Sequence, residues 1–249
     1  MSGESFGKPS LSVILPAYNE AARLRDALPR IEAYLAQAGI VAELLVVDDG
    51  STDATRSAAT ELLRGRQGQV LGDAENRGKG HAVRRGALAA RGHWLLISDV
   101  DLSTPIEEHA KLQAVARDRD LDVVIGSRAL PQSRVELRQG RLRQQMGRTF
   151  NRCVRLATGL RFRDTQCGFK LLDRERTRPL FEKMVVDGFA FDVELLFLCE
   201  RFGLTVEEVP VVWRNDPRTR VGLVGDPLQM LVDLARIRWR FRRGGYNPT

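Results

Sequence analysis

The chain has 249 residues and a mass of 27.9 kDa, and its 43% hydrophobic and 29% charged residues exclude a disordered protein. No apolar run approaches the roughly 18–20 residues that a membrane-spanning helix needs. The N-terminal MSGESFGKPS lacks the apolar segment of a secretory signal. Three widely spaced cysteines predict neither a disulfide framework nor a zinc site, so a reducing cytoplasm is the expected compartment.

The basic residues are distributed unevenly. The net charge is +7, and 34 of the 39 basic residues are arginines. The segment from Arg128 to Arg178 holds 14 basic and four acidic residues, and a second cluster closes the chain at Arg236, Arg238, Arg240, Arg242 and Arg243. Such patches bind phosphate on a nucleic acid, a nucleotide or a lipid headgroup. A solvated basic surface in an arginine-rich chain gives the same composition, so charge alone does not decide.

Short apolar runs alternate with helical patterns in the first half of the chain. Strands are predicted at Leu11–Pro16, Glu43–Val47, Gln69–Leu71, His93–Ser98 and Asp122–Gly126. Helices are predicted over Glu20–Gln37, from Asp53 to about Arg64, from Gly80 to about Arg91, and from Pro105 to about Arg119. This alternation predicts an α/β fold with a mostly parallel sheet that is flanked by helices on both faces.

The second half is less regular. Helices are predicted over Arg138–Thr158, Phe191–Phe202 and Pro227–Phe241, and strands over Gly168–Leu172 and Thr205–Trp213. The sequence contains no internal repeat and no low-complexity linker. We therefore expect an N-terminal tail over residues 1–10, one domain over residues 11–215, and a C-terminal loop and basic amphipathic helix over residues 216–249.

Polar residues follow three of the predicted strands. These strand ends are Pro16-Ala17-Tyr18-Asn19-Glu20, Asp48-Asp49-Gly50-Ser51 and Asp99-Val100-Asp101. Ligands of open α/β sheets bind beyond the carboxyl ends of the strands, so the three segments are expected to meet at one crevice. Asp99 and Asp101 can offer oxygen ligands to Mg²⁺ or Mn²⁺, although a turn that opens a helix has the same pattern. The neighbouring acid pair favours a cation, because gathered carboxylates repel one another.

A glycine-rich segment, Asn76-Arg77-Gly78-Lys79-Gly80, precedes the third predicted helix. Its glycines would let the backbone approach a ligand closely, and Arg77 and Lys79 supply positive charge for a phosphate. A turn that merely opens the helix remains the alternative. The segment is not a Walker A loop, and no dinucleotide-binding G-x-G-x-x-G follows the first strand, which argues against kinase-type and nicotinamide-dependent activities.

Seven motifs in order resemble the family 2 glycosyltransferases of the GT-A fold, a Rossmann-like fold that binds nucleotide-diphospho-sugars. The resemblance is greatest to the branch that transfers glucose or mannose to dolichyl (polyprenyl) phosphate. The motifs are Val13-Ile14-Leu15-Pro16-Ala17-Tyr18-Asn19-Glu20, Val46-Val47-Asp48-Asp49-Gly50-Ser51-Thr52-Asp53, Asn76-Arg77-Gly78-Lys79-Gly80, Asp99-Val100-Asp101-Leu102, Gly126-Ser127-Arg128, Asp164-Thr165-Gln166-Cys167-Gly168-Phe169-Lys170 and Phe191-Asp192-Val193-Glu194-Leu195. They lie within the predicted domain, residues 11–215, which would then be the catalytic domain.

The resemblance implies a role for each matching position. The expected nucleotide-binding residues are Pro16, Ala17, Tyr18, Glu20, Asp48, Asp49, Gly78, Lys79 and Asp99. Asp48 would hydrogen-bond the base, and Asp99 and Asp101 would hold the Mg²⁺ or Mn²⁺ that bridges the diphosphate. Arg128 and Gln166 would face the sugar or the acceptor phosphate. Asp192 and Glu194 would be the available general bases for a hydroxyl acceptor, and their i, i+2 spacing on a helix lets at most one of them enter the site.

The implied reaction is inverting transfer of a hexose from a nucleotide diphosphate sugar to a polyprenyl phosphate. Ser103 stands where mannosyl relatives often carry glutamine, which favours glucose and UDP-glucose as the donor. The alternatives are GDP-mannose-dependent transfer to the same acceptor and glycosyl transfer to a soluble saccharide or protein hydroxyl. A nucleic-acid-binding module is a third alternative, but aromatic residues make up only 6% of the chain and few lie in the basic segment to stack on bases.

A lipid-phosphate acceptor implies contact with a membrane. Met230, Leu234, Ile237 and Phe241 share one face of the last predicted helix, and the C-terminal arginines flank that face. We expect this helix to lie in the headgroup plane of an anionic membrane, which places the protein peripherally on the cytoplasmic face. The alternative is a helix whose apolar stripe packs on its own domain.

Overall fold

The structure is a computed structural model, and it describes residues 8–137, 141–216 and 225–246. The strands are β1 (Leu11–Ala17), β2 (Ala42–Asp48), β3 (Gly68–Gly72), β4 (Trp94–Ile97), β5 (Val123–Ser127), β6 (Arg134–Leu137), β7 (Lys170–Asp173), β8 (Val206–Pro210) and β9 (Val212–Arg214). The helices are α1 (Ala21–Gln37), α2 (Thr55–Leu62), α3 (Lys79–Ala89), α4 (Glu108–Asp118), α5 (Arg141–Thr158), α6 (Arg174–Lys183), α7 (Phe191–Arg201) and α8 (Gly225–Arg242).

The central sheet has the strand order β3-β2-β1-β4-β7-β5-β8 within the described residues. Every neighbouring pair is parallel except the two that involve β7, which runs antiparallel to β4 and β5. β6 and β9 form a separate parallel pair. The predicted mostly parallel α/β sheet is therefore confirmed, and the carboxyl ends of β1, β2 and β4 lie at the same edge.

Two elements of the second half differ from the sequence-based expectation. The strand predicted over Thr205–Trp213 is broken after Pro210, and its two parts join different sheets. The break occurs at Val211, whose amide donates to Ser127 of β5 while its carbonyl accepts from Arg134 of β6. β6 and α6 were not predicted.

Helices cover both faces of the sheet, which explains why the strands are continuous apolar runs. On one face α1, α2 and α4 pack against the side chains of β1 that include Val13 and Leu15. On the other face Ile14 of β1 belongs to a core cluster with α3, α5, α6, α7 and α8. α8 therefore belongs to the packing of the main domain, and the boundary expected at residue 216 stays a prediction.

The apolar stripe predicted to face a membrane is buried in the protein. Met230, Leu234 and Ile237 of α8 are at most 6% exposed, and Phe241 packs against the same cluster. The expectation that this stripe contacts lipid is wrong, because its side chains pack against apolar side chains of α5 and α7 in the core. In the described ranges, no helix is both long enough and apolar enough to cross a membrane.

Candidate active site at the strand ends

A cleft of about 810 Å³ opens at the carboxyl edge of β1 and β4. Twelve of the fourteen residues that the sequence predicted for the site line it: Pro16, Ala17, Tyr18, Glu20, Asp49, Gly78, Lys79, Asp99, Asp101, Arg128, Gln166 and Asp192. Asp48 and Glu194 do not belong to the lining. The topology thus brings most of the predicted residues to one place, as the convergence of strand ends requires.

Asp48 supports the strand-end loop from beneath. Its side chain is 2% exposed, and Oδ1 accepts the amide of Ser51 at 3.1 Å. The loop after β1 is tied to the same segment, because Asn19 Oδ1 accepts the amides of Thr52 and Asp53 at 2.8 and 3.2 Å. The Asp48 carboxylate thus shapes the turn through Oδ1, and its expected contact with the base stays a prediction.

Asp49 fixes the glycine-rich segment. Its carboxylate accepts the amide of Arg77 at 2.9 Å on Oδ1 and that of Gly78 at 2.8 Å on Oδ2. Gly50 has φ +71°, and a Cβ there would lie 2.4 Å from the carbonyl carbon of Glu75, so the two loops touch backbone to backbone. The turn before α3 is thus held by the segment that follows β2, and it presents the next residue, Lys79, to the cleft.

Lys79, the first residue of α3, reaches across to the segment that follows β4. Its Nζ lies 2.5 Å from Asp99 Oδ1. Burial alone would lower the pKa of Lys79, but the carboxylates of Asp99, Asp192 and Asp101 raise it above its ordinary value. The lysine is therefore a positive charge placed among acids.

Asp99 and Asp101 form a carboxylate pair, and the negative charge of Asp101 is poorly balanced by its surroundings. Asp101 Oδ1 accepts the amide of Ser103 at 2.8 Å, and burial together with the nearby Asp99 raises the pKa of Asp101 above its ordinary value. The described residues include no group of three or more His, Cys, Asp or Glu side chains arranged to hold a metal ion. Two carboxylates on an open cleft nevertheless suit Mg²⁺ or Mn²⁺, which take their other ligands from water and substrate phosphate.

Arg128 lies at the end of β5 and is locked by Asp164. Its Nε and Nη2 donate to the two carboxylate oxygens at 2.7 and 2.9 Å, and its guanidinium stacks 5.4 Å from the ring centre of Trp213. Burial lowers the pKa of Arg128, but Asp164 outweighs this effect and raises that pKa above its ordinary value. Burial raises the pKa of Asp164, but Arg128 outweighs it and the net shift is downward. Both groups stay charged, and Asp164 holds the guanidinium in a fixed orientation at the cleft.

Asp192 is paired with a lysine that the sequence analysis did not single out as a site residue. Lys170, on β7, is fully buried, and its Nζ lies 2.5 Å from both Asp192 Oδ1 and the carbonyl of Cys167. Burial raises the pKa of Asp192, while Lys170 and Lys79 oppose that rise. The sequence signal that could have identified Lys170 is a single lysine beside the apolar residues of a strand, because a lysine is rarely buried without a partner.

Glu194 is a structural carboxylate. It is fully buried and accepts the amides of Val185 at 3.0 Å and Val186 at 2.8 Å, as well as the hydroxyl of Tyr246 at 2.5 Å. These bonds hold the loop before α7, whose Gly188 lines the cleft. The expectation that Glu194 is an available general base is therefore not supported. As the i, i+2 spacing predicts, only Asp192 of the two faces the cleft.

The cleft wall becomes apolar where α5 and α8 contribute to it. The apolar lining there consists of Met146, Phe150, Phe189, Pro227 and Met230. Gln166 borders this part, since its Nε2 lies 3.9 Å from Met230 Sδ. The same cleft therefore presents acids and cations on the strand edge, and mostly apolar side chains beside Asp226 where α5 and α8 line it.

Residues 12–181 match the family profile described as "Glycosyl transferase family 2". The chain belongs to glycosyl transferase family 2. The family 2 relatives include a dolichyl-phosphate beta-glucosyltransferase of Drosophila melanogaster, 39% identical over 95% of this chain and 76% of the relative. A protein of the same name from Dictyostelium discoideum is 33% identical over 94% of this chain and 75% of the relative.

Solved structures agree on the fold. Glucosyl-3-phosphoglycerate synthase from Mycobacterium tuberculosis in complex with UDP has a TM-score of 0.70 at 22% identity, covering 96% of this chain and 86% of that one. The same synthase in complex with Mn²⁺, UDP-glucose and phosphoglyceric acid has a TM-score of 0.66 at 21% identity, covering 96% and 85%. The predicted GT-A architecture of this family 2 enzyme is thereby confirmed.

Proposed function

We propose that this family 2 enzyme transfers glucose from UDP-glucose to a polyprenyl phosphate with inversion at the anomeric carbon. The observation that carries the proposal is the two-sided cleft, which joins a carboxylate and lysine cluster to an apolar wall. A nucleotide diphosphate sugar suits the first side and a lipid phosphate suits the second. The names of the Drosophila and Dictyostelium relatives support glucose as the sugar and a dolichyl-type phosphate as the acceptor.

Asp99 and Asp101 would hold the divalent cation, Mg²⁺ or Mn²⁺. When bound, the cation would neutralise the diphosphate as it leaves. Lys79 contributes a further positive charge on the same side of the cleft, and its placement at the N-terminus of α3 adds the favourable end of the helix dipole. The leaving group is thus stabilised by preorganised charge, which commonly makes the greatest contribution to enzymatic rate enhancement.

Arg128 is the group best placed to bind the acceptor phosphate. Its orientation is fixed by Asp164 and Trp213, so an incoming anion would not have to order it. The second pKa of a phosphate monoester is about 6, so the acceptor is mostly ionised at neutral pH and needs no strong general base. Asp192, which is paired with Lys170, would then accept hydrogen bonds from the sugar rather than remove a proton.

The exposed face of α8 supports contact with a membrane surface. Leu228, Leu231, Val232 and Trp239 are 63, 43, 55 and 55% exposed, and their spacing places them on one side of the helix, opposite the buried stripe. Arg236, Arg238, Arg242 and Arg243 stand on either side of them. Apolar side chains bordered by arginines suit an anionic bilayer, with the charges at the phosphates and the apolar groups below them.

This surface lies next to the apolar part of the cleft. Pro227 and Met230, in the first turns of α8, line the cleft, while Leu228 and Leu231 on the same turns face outward. A helix resting on the membrane would therefore bring the cleft to the headgroups, where a polyprenyl phosphate presents its phosphate. The proposed location is peripheral, on the cytoplasmic face.

The reaction is tested with two donors and two acceptor classes. Radiolabelled UDP-glucose and GDP-mannose are each incubated with the protein, a short polyprenyl phosphate and Mg²⁺ or Mn²⁺. We expect label from UDP-glucose to enter the organic phase in a metal-dependent manner. Label transferred from GDP-mannose alone would replace the sugar assignment. Transfer only to a soluble saccharide, with none to the lipid, would refute the acceptor.

The membrane surface is tested by co-sedimentation with vesicles that contain phosphatidylserine. Val232→Glu places a charge within the exposed stripe, and Val41→Glu makes the same change at a residue that is 50% exposed and directly precedes β2. Each arginine near an anionic surface contributes about 1 kcal/mol, so binding should fall steeply with salt. We expect Val232→Glu to abolish pelleting and Val41→Glu to leave it unchanged. Equal pelleting of the two variants would contradict the assignment of this face.

A further inference from the structure

The Lys79 ammonium group occupies a position that a metal ion on Asp99 would also need. Its Nζ lies 2.5 Å from Asp99 Oδ1. The other oxygen, Oδ2, rests against the backbone of Gly168, where an added Cβ would lie only 2.1 Å away. Both oxygens of Asp99 are therefore already in contact with the protein. A cation that approaches this carboxylate competes with the lysine for it.

A bound nucleotide sugar would give the Lys79 ammonium group a further anionic partner. Asp192 also attracts the Lys79 ammonium group, but its Oδ1 already contacts Lys170 Nζ at 2.5 Å. The backbone of the turn is fixed through Gly78 by Asp49, whereas the side chain of Lys79, which is 22% exposed, has a flexible four-carbon stem. A nucleotide diphosphate would bring new negative oxygens to the same cleft. The ammonium could then move from the carboxylate to the phosphates while its own backbone stays in place.

We propose that Lys79 is the resident cation of the carboxylate pair, holding Asp99 while the donor site is empty and passing to the diphosphate when metal and nucleotide sugar bind together. This inference rests on the proposed function. It implies that the metal alone binds weakly and that metal and nucleotide each strengthen the binding of the other by the same factor. The lysine thus couples the two binding events.

The test measures Mn²⁺ binding to the full-length protein, by the electron paramagnetic resonance signal of free Mn²⁺, with and without UDP. Lys79→Met and Lys79→Gln remove the charge at a partly exposed position, and a thermal melt checks that each variant is folded. Lys111→Met is the matched control, because Lys111 pairs with Glu108 on α4 and lies outside the cleft lining. We expect the Lys79 variants to bind Mn²⁺ at least tenfold more tightly than the natural protein when UDP is absent. The gain in Mn²⁺ affinity caused by UDP should fall at least tenfold, and the control should match the natural protein.

The outcomes separate this inference from the function on which it rests. Lys79 variants that bind Mn²⁺ as weakly as the natural protein, or more weakly, would overturn the inference, because the lysine would then orient Asp99 for the metal. Such a result leaves the proposed reaction standing. A natural protein that fails to bind Mn²⁺ even with UDP would refute the metal part of the proposed function, and the inference with it.

Discussion

Gly168→Ala tests whether the position of Asp99 controls the reaction. A Cβ at residue 168 would lie 2.1 Å from Asp99 Oδ2 and 2.6 Å from its Cγ, so the carboxylate would have to retreat by about 1 Å to restore even a 3.0 Å contact. A displacement of about 1 Å at a reacting constellation costs on the order of 100-fold in rate. That factor corresponds to about 2.7 kcal/mol of lost transition-state stabilisation. We expect kcat/KM for UDP-glucose to fall by about two orders of magnitude.

The assay compares initial rates of glucose transfer with thermal melts of the same samples. Gly147→Ala is the matched control, because Gly147 also lines the cleft but no heavy atom lies within 4 Å of its added Cβ. In the middle of α5 that change should stabilise the helix by up to about 1 kcal/mol and leave the rate within threefold. A Gly168→Ala protein that melts normally and keeps its rate within threefold would refute the reasoning, since Asp99 would then tolerate displacement.

Three further changes test other groups. Asp101→Asn keeps an acceptor for the Ser103 amide but removes the charge, so transfer should fall at least 100-fold with an unchanged melt; normal turnover with Mg²⁺ or Mn²⁺ would contradict the ligand role. Lys170→Met removes the ammonium group that pairs with the buried Asp192 carboxylate, which should lower the free energy of unfolding in urea by about 3–5 kcal/mol. Adding Asp192→Asn should recover much of that loss, and no recovery would argue against the pair. Burial and Arg117 lower the pKa of His109 to about 4, so the stability it contributes is present above pH 6.5 and falls by roughly 3 kcal/mol as pH drops to 4. His109→Gln should flatten that part of the stability profile, and an unchanged slope would contradict the assignment.

The sheet could be predicted because buried parallel strands are apolar on both faces. Leu11–Pro16 was predicted and Leu11–Ala17 is observed, and the runs that became β2, β4 and β5 lie within a few residues of their predicted ends. α6 was missed for the opposite reason. Its sequence is mostly charged and contains Pro179, and only Thr177, Leu180 and Phe181 are buried. Its one clear sequence signal was Asp173, which caps the helix by accepting the amide of Arg176 at 2.9 Å.

The sequence indicated which residues meet at the strand ends but not which carboxylates the fold itself uses. In the sequence, Asp48 and Glu194 resemble ligands or bases. In the structure, Asp48 accepts a hydrogen bond from the amide of Ser51, and Glu194 accepts hydrogen bonds from two amides and a hydroxyl. Such use depends on where distant backbone donors lie, which no local pattern reports. The same holds for α8, which has two apolar stripes. The one with the heptad-like spacing of Met230, Leu234 and Ile237 packs inward, because the adjoining core cluster requires it.

The charges of the cleft explain why metal and diphosphate should bind together. Lys79 is balanced by Asp99, Arg128 by Asp164 and Lys170 by Asp192, each within 2.7 Å. Asp101 differs, because its carboxylate accepts a backbone amide and its pKa is raised by burial and by Asp99. A diphosphate alone would enter next to Asp99 and Asp101 and be repelled, and a dication alone would have to displace an ammonium group. A dication and a diphosphate entering together bring compensating charges, so the balanced pairs can exchange partners without leaving a buried charge unpaired.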